Sequence, residues 1–235
     1  MRIKLKLKPW IYPLLLLFFS TSLLAAPPAF QARYSVVKSG IELGEMKANL
    51  VYSANSYTYL KQTQANGIAA FISGDTLTER SNGTKQGQQL ASQQYLHHHK
   101  NRRKDRRDQF SFVAPTQVKG QYKDKNYELT VPNGTIDPAL LELKIMDDLR
   151  ANRPLNYRVT EKGELKDYRF QRQGREKLAL PAGQYECEKI QMVRDDGERT
   201  TTIWLAPELN YVPVQIRHNE KGDIIETRLK DYTAR

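Results

Sequence analysis

Asp137-Pro138-Ala139-Leu140-Leu141-Glu142-Leu143-Lys144-Ile145-Met146-Asp147-Asp148-Leu149-Arg150 is the stretch on which the fold turns. Asp137 is a helix-capping residue, Pro138 suits the first helical turn, and Leu141, Ile145 and Leu149 recur every four residues until Arg153-Pro154 ends the run. Residues 68–77 mix small and apolar side chains and fit a short helix or a bent strand. Everything else reads as β structure, so one principal helix must find cover among strands.

Outward from that helix, short β-type runs alternate with turn dipeptides. Before it, residues 30–37 look extended, 40–44 form a turn, and 46–52 place Met46, Ala48, Leu50 and Tyr52 on one face at period two. The run 57–64 follows, closed by Asn66-Gly67, and Asn82-Gly83 and Asn133-Gly134 predict further hairpins. After the helix, strands are expected over 155–159, 164–171, 177–180, 185–193, 200–205, 212–217 and 224–229, with Lys162-Gly163, Asp196-Gly197 and Lys221-Gly222 as hairpin turns. This is an antiparallel meander with no low-complexity linker, so residues 27–235 read as a single β-rich domain. The class is mainly β (α+β). A strongly curved antiparallel sheet, or incomplete barrel, wrapping the one principal helix buries its apolar stripe. Such a sheet has a concave interior, a place for an apolar or amphiphilic ligand, although small barrels are often filled by their own side chains.

Residues 1–26 read as an export signal. Arg2, Lys4, Lys6 and Lys8 precede a mainly apolar stretch from Trp10 to Leu24, and Ala25 and Ala26 are small enough for a signal peptidase. Pro13 interrupts the stretch, which is shorter than the roughly 20 residues of a spanning helix. The expected location is the periplasm or the outside of a bacterial cell. Removing the signal takes four of the 37 basic residues and none of the 26 acidic ones, and the formal charge falls from +11 to +7. About 208 residues then bury roughly 70% of their unfolded surface without a disulfide, and the single cysteine, Cys187, cannot make an intramolecular one. Its place in Tyr185-Glu186-Cys187-Glu188 reads as a strand, where a small buried residue is the default and a nucleophile the alternative. Lys189 would lower the thiol pKa, and the flanking Glu186 and Glu188 oppose that.

The densest charge is in the string Lys100-Asn101-Arg102-Arg103-Lys104-Asp105-Arg106-Arg107-Asp108, led by His97, His98 and His99. Lys100, Arg102, Arg103, Lys104, Arg106 and Arg107 make a candidate anion-binding surface. Nucleic acid is not the expected partner of an exported chain without recognition motifs. Lipid, lipopolysaccharide or an envelope protein is, with peripheral membrane contact. On a strand only His97 and His99 share a face, and the cations beside them repel a metal ion, so no metal site and no cofactor are assigned. Trp204 alternates with Ile203 and Leu205, and either face is a candidate for the core.

Catalytic signatures are missing: there is no Gly-x-Ser-x-Gly elbow, no His-Glu-x-x-His helix, no phosphate-binding glycine loop and no Cys-x-x-Cys. Asp147 with Asp148, and Glu186 with Glu188, are neighbours whose spacing implies no positioned acid and base. A non-catalytic protein is expected, with an envelope scaffold and, less so, a polymer hydrolase as alternatives.

Tyr34 with Gly40 and Gly44, Leu149-Arg150, Tyr168-x-Phe170, Pro181-x-Gly183, Trp204-Leu205-Ala206 and Pro213-Val214, in that order from Arg33 to Leu229, resemble the exported bacterial family called domain of unknown function 3108. The resemblance implies no activity and carries over no site residue. It implies a helix-plugged, incomplete barrel like that of lipoprotein carriers. The histidine tract and basic block look like departures from the family's general pattern.

Overall fold

The computed structural model describes residues 26–194 and 197–235, without the side chains of 68, 71 and 72. All but the last residue of the export-signal reading, and the Asp196 half of one hairpin reading, fall outside the described residues. The first half of the chain forms β1 (Phe30–Lys38), β2 (Ile41–Ser53), β3 (Ser56–Ala65), the short helix α1 (Gly67–Ile72), β4 (Thr76–Gln86), β5 (Gln89–Lys100), β6 (Asp105–Ala114), β7 (Gln117–Tyr122) and β8 (Lys125–Thr130). Then come α2 (Pro138–Arg150), β9 (Asn156–Glu161), β10 (Glu164–Leu180), β11 (Gly183–Met192), β12 (Arg199–Ala206), β13 (Val212–Glu220) and β14 (Asp223–Ala234).

The strands form one antiparallel sheet in the order β8-β7-β6-β5-β4-β3-β2-β1-β14-β13-β12-β11-β10-β9. Two meanders are thus joined at β1 and β14, and β8 and β9 are left as free edges. The ladder does not close. Three contacts span its seam instead: a parallel bridge between Ile136 and Val159, made by Ile136 N to Arg158 O and Thr160 N to Ile136 O, each at 3.0 Å, Lys162 N to Asp108 Oδ2 at 2.6 Å, and Tyr127 against Gly163.

Period-two alternation aims one row of side chains inward across eight strands. Phe30, Leu50, Tyr59, Ser81, Tyr95, Phe110, Gly120 and Tyr127 are successive register partners. Phe30 and Tyr59 stack at 6.0 Å, and Tyr95 and Phe110 at 5.0 Å. The sheet wraps α2, whose residues from Ala139 to Leu149 are all buried except Glu142 and Lys144. The predicted stripe of Leu141, Ile145 and Leu149 is therefore only part of the apolar surface, since Leu140, Leu143 and Met146 are fully inaccessible. A helix buried on nearly every side fills a barrel rather than covering a sheet. The space around it is packed, not hollow.

Asp137 fixes how the helix sits. Its carboxylate accepts from Ala139 N at 2.9 Å and Leu140 N at 2.8 Å, the N-terminal cap, and also from Ser81 and Ser92 Oγ, each at 2.6 Å. Tyr57 OH lies 2.8 Å from Ser81 Oγ, and Asp137 N donates to Ser92 Oγ at 3.1 Å. The helix start is thus bonded to β4 and β5, and through Ser81 to β3.

The structure corrects several expected boundaries. Asn82-Gly83 is no hairpin: it lies inside β4 at a register shift, where a Cβ on Gly83 would meet Ala91 O at 1.9 Å and the Tyr57 ring at 2.6 Å. Glycine is required there for close approach, not for turning; the turn falls at Gly87 and Gln88. Asn133 and Gly134 turn the chain toward α2 instead of joining two strands. The expected strands 164–171 and 177–180 are one, β10, interrupted by a bulge at Gly174 (φ +89°). The turn expected over 40–44 is confined to Ser39 and Gly40, and Gly44 is within β2, where Gln64 O leaves no room for a Cβ.

Ile145→Ala should lower unfolding free energy by about 2–5 kcal/mol in urea titrations, because the site is closed on all sides. Burial pushes the Asp137 pKa up from 3.8 to about 6, against the hydrogen bonds from Ser81, Ser92 and Leu140. A raised carboxyl favours the folded state when protonated, so its contribution should fall as pH rises from about 4 to about 6 and stay flat above. The stability of the natural protein minus that of Asp137→Asn should decline over that window, which urea midpoints at stepped pH would measure.

Candidate functional site

Strands in a meander alternate direction, so the turns sort into two ends. Ala54 with Asn55, Gly87 with Gln88, Pro115 with Thr116, and Pro181 with Ala182 mark one end, where the chain also leaves β8 for α2 and returns to β9. These four turns hold no charged residue, and the β12–β13 connection of the same end carries Glu208. The other end carries the turns Ser39-Gly40, Asn101-Arg102-Arg103-Lys104, Lys123-Asp124, Lys162-Gly163 and Lys221-Gly222. With the β3–β4 and β11–β12 connections of the same end, whose described residues add Asp75, Arg194 and Glu198, this end holds seven cations and three anions among the described connecting residues.

The basic string is the β5–β6 hairpin of this end. Lys100 closes β5, Arg102, Arg103 and Lys104 form the loop, and Arg106 and Arg107 open β6, so the fold brings all six predicted residues together and exposes them. Asn101 shapes the loop: Oδ1 accepts from Arg103 N at 2.9 Å and Lys104 N at 2.8 Å, while Nδ2 donates to Asp75 Oδ1 at 2.9 Å. His99 Nε2 lies 2.9 Å from the same Asp75 oxygen, and His98 Nε2 lies 2.6 Å from Asp105 Oδ1. Hydrogen bonds from Ser73, Asn101 and His99 hold Asp75 below the usual carboxylate range. With Asp75 and Asp105 so engaged, Lys100, Arg103, Lys104, Arg106 and Arg107 have no ion-pair partner among the described residues. Sequence reasoning missed Asn101 and Asp75, whose roles depend on a contact across 26 residues.

Three further lysines at this end sit in the left-handed region: Lys123 (φ 48°), Lys162 (φ 54°) and Lys221 (φ 53°). That conformation costs a side chain with a Cβ about 1–2 kcal/mol, and asparagine or glycine is the commoner solution. Lysine at all three turns concentrates charge where the backbone alone does not select it.

Inside the barrel, above α2, the lining turns from apolar to ionic. Lys61 Nζ bridges Glu79 at 2.8 Å and Glu142 of the helix at 3.0 Å; Tyr59 OH donates to Glu142 and Tyr95 OH donates to Glu79 at 2.8 Å. Burial alone would lower the Lys61 pKa, but Glu142 and Glu79 outweigh it and raise it, and Lys61 in turn depresses Glu79 against the effect of burial. Burial lowers His97, and it lowers His218 with help from Arg194 and Lys61. Two carboxylates do meet here, but a shared ammonium holds them and Glu79 is the reverse of a raised general acid.

The neighbouring pairs noted in the sequence are tied down as well. Arg153 binds Asp147 at 2.8 Å and Asp148 at 2.6 Å, and Arg172 binds Glu188 at 2.8 Å. Among the described residues no group of three His, Cys, Asp or Glu is placed to hold a metal ion. Cys187 is fully buried, and burial, then Glu208 and Glu176, push its thiol up to about 12. Lys189 does not reach it with effect, because its ammonium pairs with Glu176 at 3.0 Å over the Trp204 ring. Trp204 donates Nε1–H to Glu176 at 3.0 Å and has Arg217 at 5.4 Å from its ring, so it is as buried as Ile203 and Leu205 on the other face. Both faces of β12 are core.

These features define a helix-plugged, incompletely closed antiparallel β barrel with one basic end. The chain belongs to the family described as "Protein of unknown function (DUF3108)", whose model matches residues 29–230. Among solved structures it is similar to a beta-barrel-like protein of domain of unknown function DUF1849 from Brucella abortus, at 10% identity and a TM-score of 0.59 over 90% of this chain and 99% of that one. That likeness is one of fold. A candidate lipoprotein from Parabacteroides distasonis aligns at 9% identity and a TM-score of 0.33, over 89% of this chain and 97% of that one. A candidate exported protein with a YmcC-like fold from Bacteroides fragilis aligns at 9% and 0.34, with the same coverage. No curated protein matches the chain.

Because the thiol is both enclosed and held protonated, Cys187 in the folded protein should not react with Ellman's reagent at neutral pH and should react fully in urea. Rapid labelling without denaturant would place Cys187 on an opening segment.

Proposed function

We propose that the protein is a non-catalytic, extracytoplasmic protein that binds an anionic amphiphile of the bacterial envelope, a lipid or lipopolysaccharide, by its head group at the basic end. One observation carries this reading: five cations of a single hairpin, ordered by Asn101 and Asp75, stand exposed and make no salt bridge among the described residues. A charged surface kept only for solubility has both signs interspersed, whereas here the nearby acids are consumed by histidines and an amide. The packed surroundings of α2 favour a site at the end of the barrel over one inside the sheet around the helix. The signal-like pattern of residues 1–26 supports placement beyond the cytoplasmic membrane.

Native mass spectrometry of protein isolated from its own envelope should find a phosphate-bearing amphiphile bound. A variant carrying Arg103→Gln, Lys104→Gln, Arg106→Gln and Arg107→Gln should lose it while unfolding at an unchanged temperature. Retention of the ligand by that variant, or its absence from the natural protein, overturns the proposal. Capture of one discrete protein by crosslinking in cells, with no amphiphile present, would favour an envelope scaffold instead.

A further inference from the structure

We infer that the basic end is a membrane-docking face, on which Ile41 and Ile225 enter the head-group layer of an anionic phospholipid bilayer while the β5–β6 cations bind its phosphates. This rests on the head-group reading above and adds two claims: insertion, and a fixed orientation of the barrel.

Six large hydrophobic side chains are exposed among the described residues: Ile41, Val113, Leu165, Val193, Ile224 and Ile225. All except Val113 lie at or beside a connection of the basic end. Scattered apolar exposure is ordinary on a protein surface, but segregation to one end, beside the cations, is not. Ile41 is the most exposed, at 64%. It pairs with Lys38, which pairs with Ile225, so the two isoleucines share a face two strands apart, at about 10 Å, with a lysine between them. That lysine is paired with Asp223 at 2.7 Å, so the two add no net charge between the isoleucines.

The apolar tip and the basic hairpin are continuous through α1. Asn66 N, at the start of α1, donates to Leu43 O of β2, and Arg102 N donates to Ser73 O, where α1 ends. The sequence Gly67–Ile72 carries no charged residue. The face therefore runs from the β13–β14 and β1–β2 tips, across an uncharged short helix, to the unpaired cations. An apolar anchor rimmed by basic residues is complementary to a surface with negative phosphates above a hydrocarbon layer, and to little else that presents both. A soluble acidic protein offers the charge without the apolar layer. Glu198, beyond β13 from this arc, pairs with Lys221 at 3.1 Å.

The test uses protein isolated after export from cells expressing the full chain, and vesicles of phosphatidylethanolamine with phosphatidylglycerol or of phosphatidylcholine alone. The natural protein should float with the anionic vesicles only, and salt should weaken the partitioning. Arg103→Gln and Lys104→Gln should each weaken it about fivefold, and Ile41→Asp with Ile225→Asp at least about fivefold together. Thermal midpoints of these variants establish that they remain folded. In a separate variant, Ile41→Trp should shift its emission to the blue on anionic vesicles, against the constant background of the buried Trp204.

Absence of flotation overturns docking. So does flotation that the isoleucine variants leave intact with no blue shift, since that is adsorption by charge alone. Flotation with a blue shift supports docking even if no amphiphile copurifies, in which case the head-group proposal fails by itself. A copurified amphiphile without flotation leaves the head-group proposal standing and overturns docking.

Discussion

A fully buried carboxylate holds this barrel in register with its plug. Asp137 satisfies two helix-start amides and two serine hydroxyls from separate strands, and each of its partners is itself buried or half-buried. A charge or dipole left unpaired in such a place costs more than an ordinary hydrogen bond gains, so the four donors and the acid require one another. The helix can then sit in only one position against β4 and β5. From that position Leu140, Leu143 and Met146 fill the lower barrel, and Glu142 points upward to Lys61. The change from apolar to ionic lining along the interior follows from where one cap is anchored.

The same economy governs the glycines that are not at turns. Gly83 and Gly120 lie under the rings of Tyr57 and Tyr127, their register partners. With no Cβ in the way, the rings keep their phenol oxygens within reach of Ser81 and Asp108. Seam and helix anchorage therefore both rest on a ring seated over a glycine.

The parts legible in the sequence are those set by local chemistry. The cap at Asp137, the stop at Arg153-Pro154, and the Lys162-Gly163 and Lys221-Gly222 turns depend on residues next to each other, and they stand as expected. Asn82-Gly83 misled because its glycine answers to Tyr57 and Ala91, both outside its own neighbourhood. The basic hairpin was visible as composition, but its ordering by Asn101 through Asp75 was not. Nor was the gathering of Ile41 and Ile225, which the β1–β14 pairing brings together from opposite ends of the chain. Period-two patterning reports which face a residue occupies, and says nothing of which distant tip will stand beside it.

The meeting of β1 with β14 places both termini of the described chain in the middle of the sheet, with Arg235 N bonded to Ala29 O. A chain that emerges with its N-terminus first offers β1 early, and β1 pairs with β2 at once. Its other edge stays unmatched until β14 arrives. Until then the two meanders are separate half-walls, and the nascent protein carries an open strand edge at its centre. Pairing of β14 with β1 thus removes an open strand edge from the centre of the wall, and a variant without β14 would lack the join between its halves.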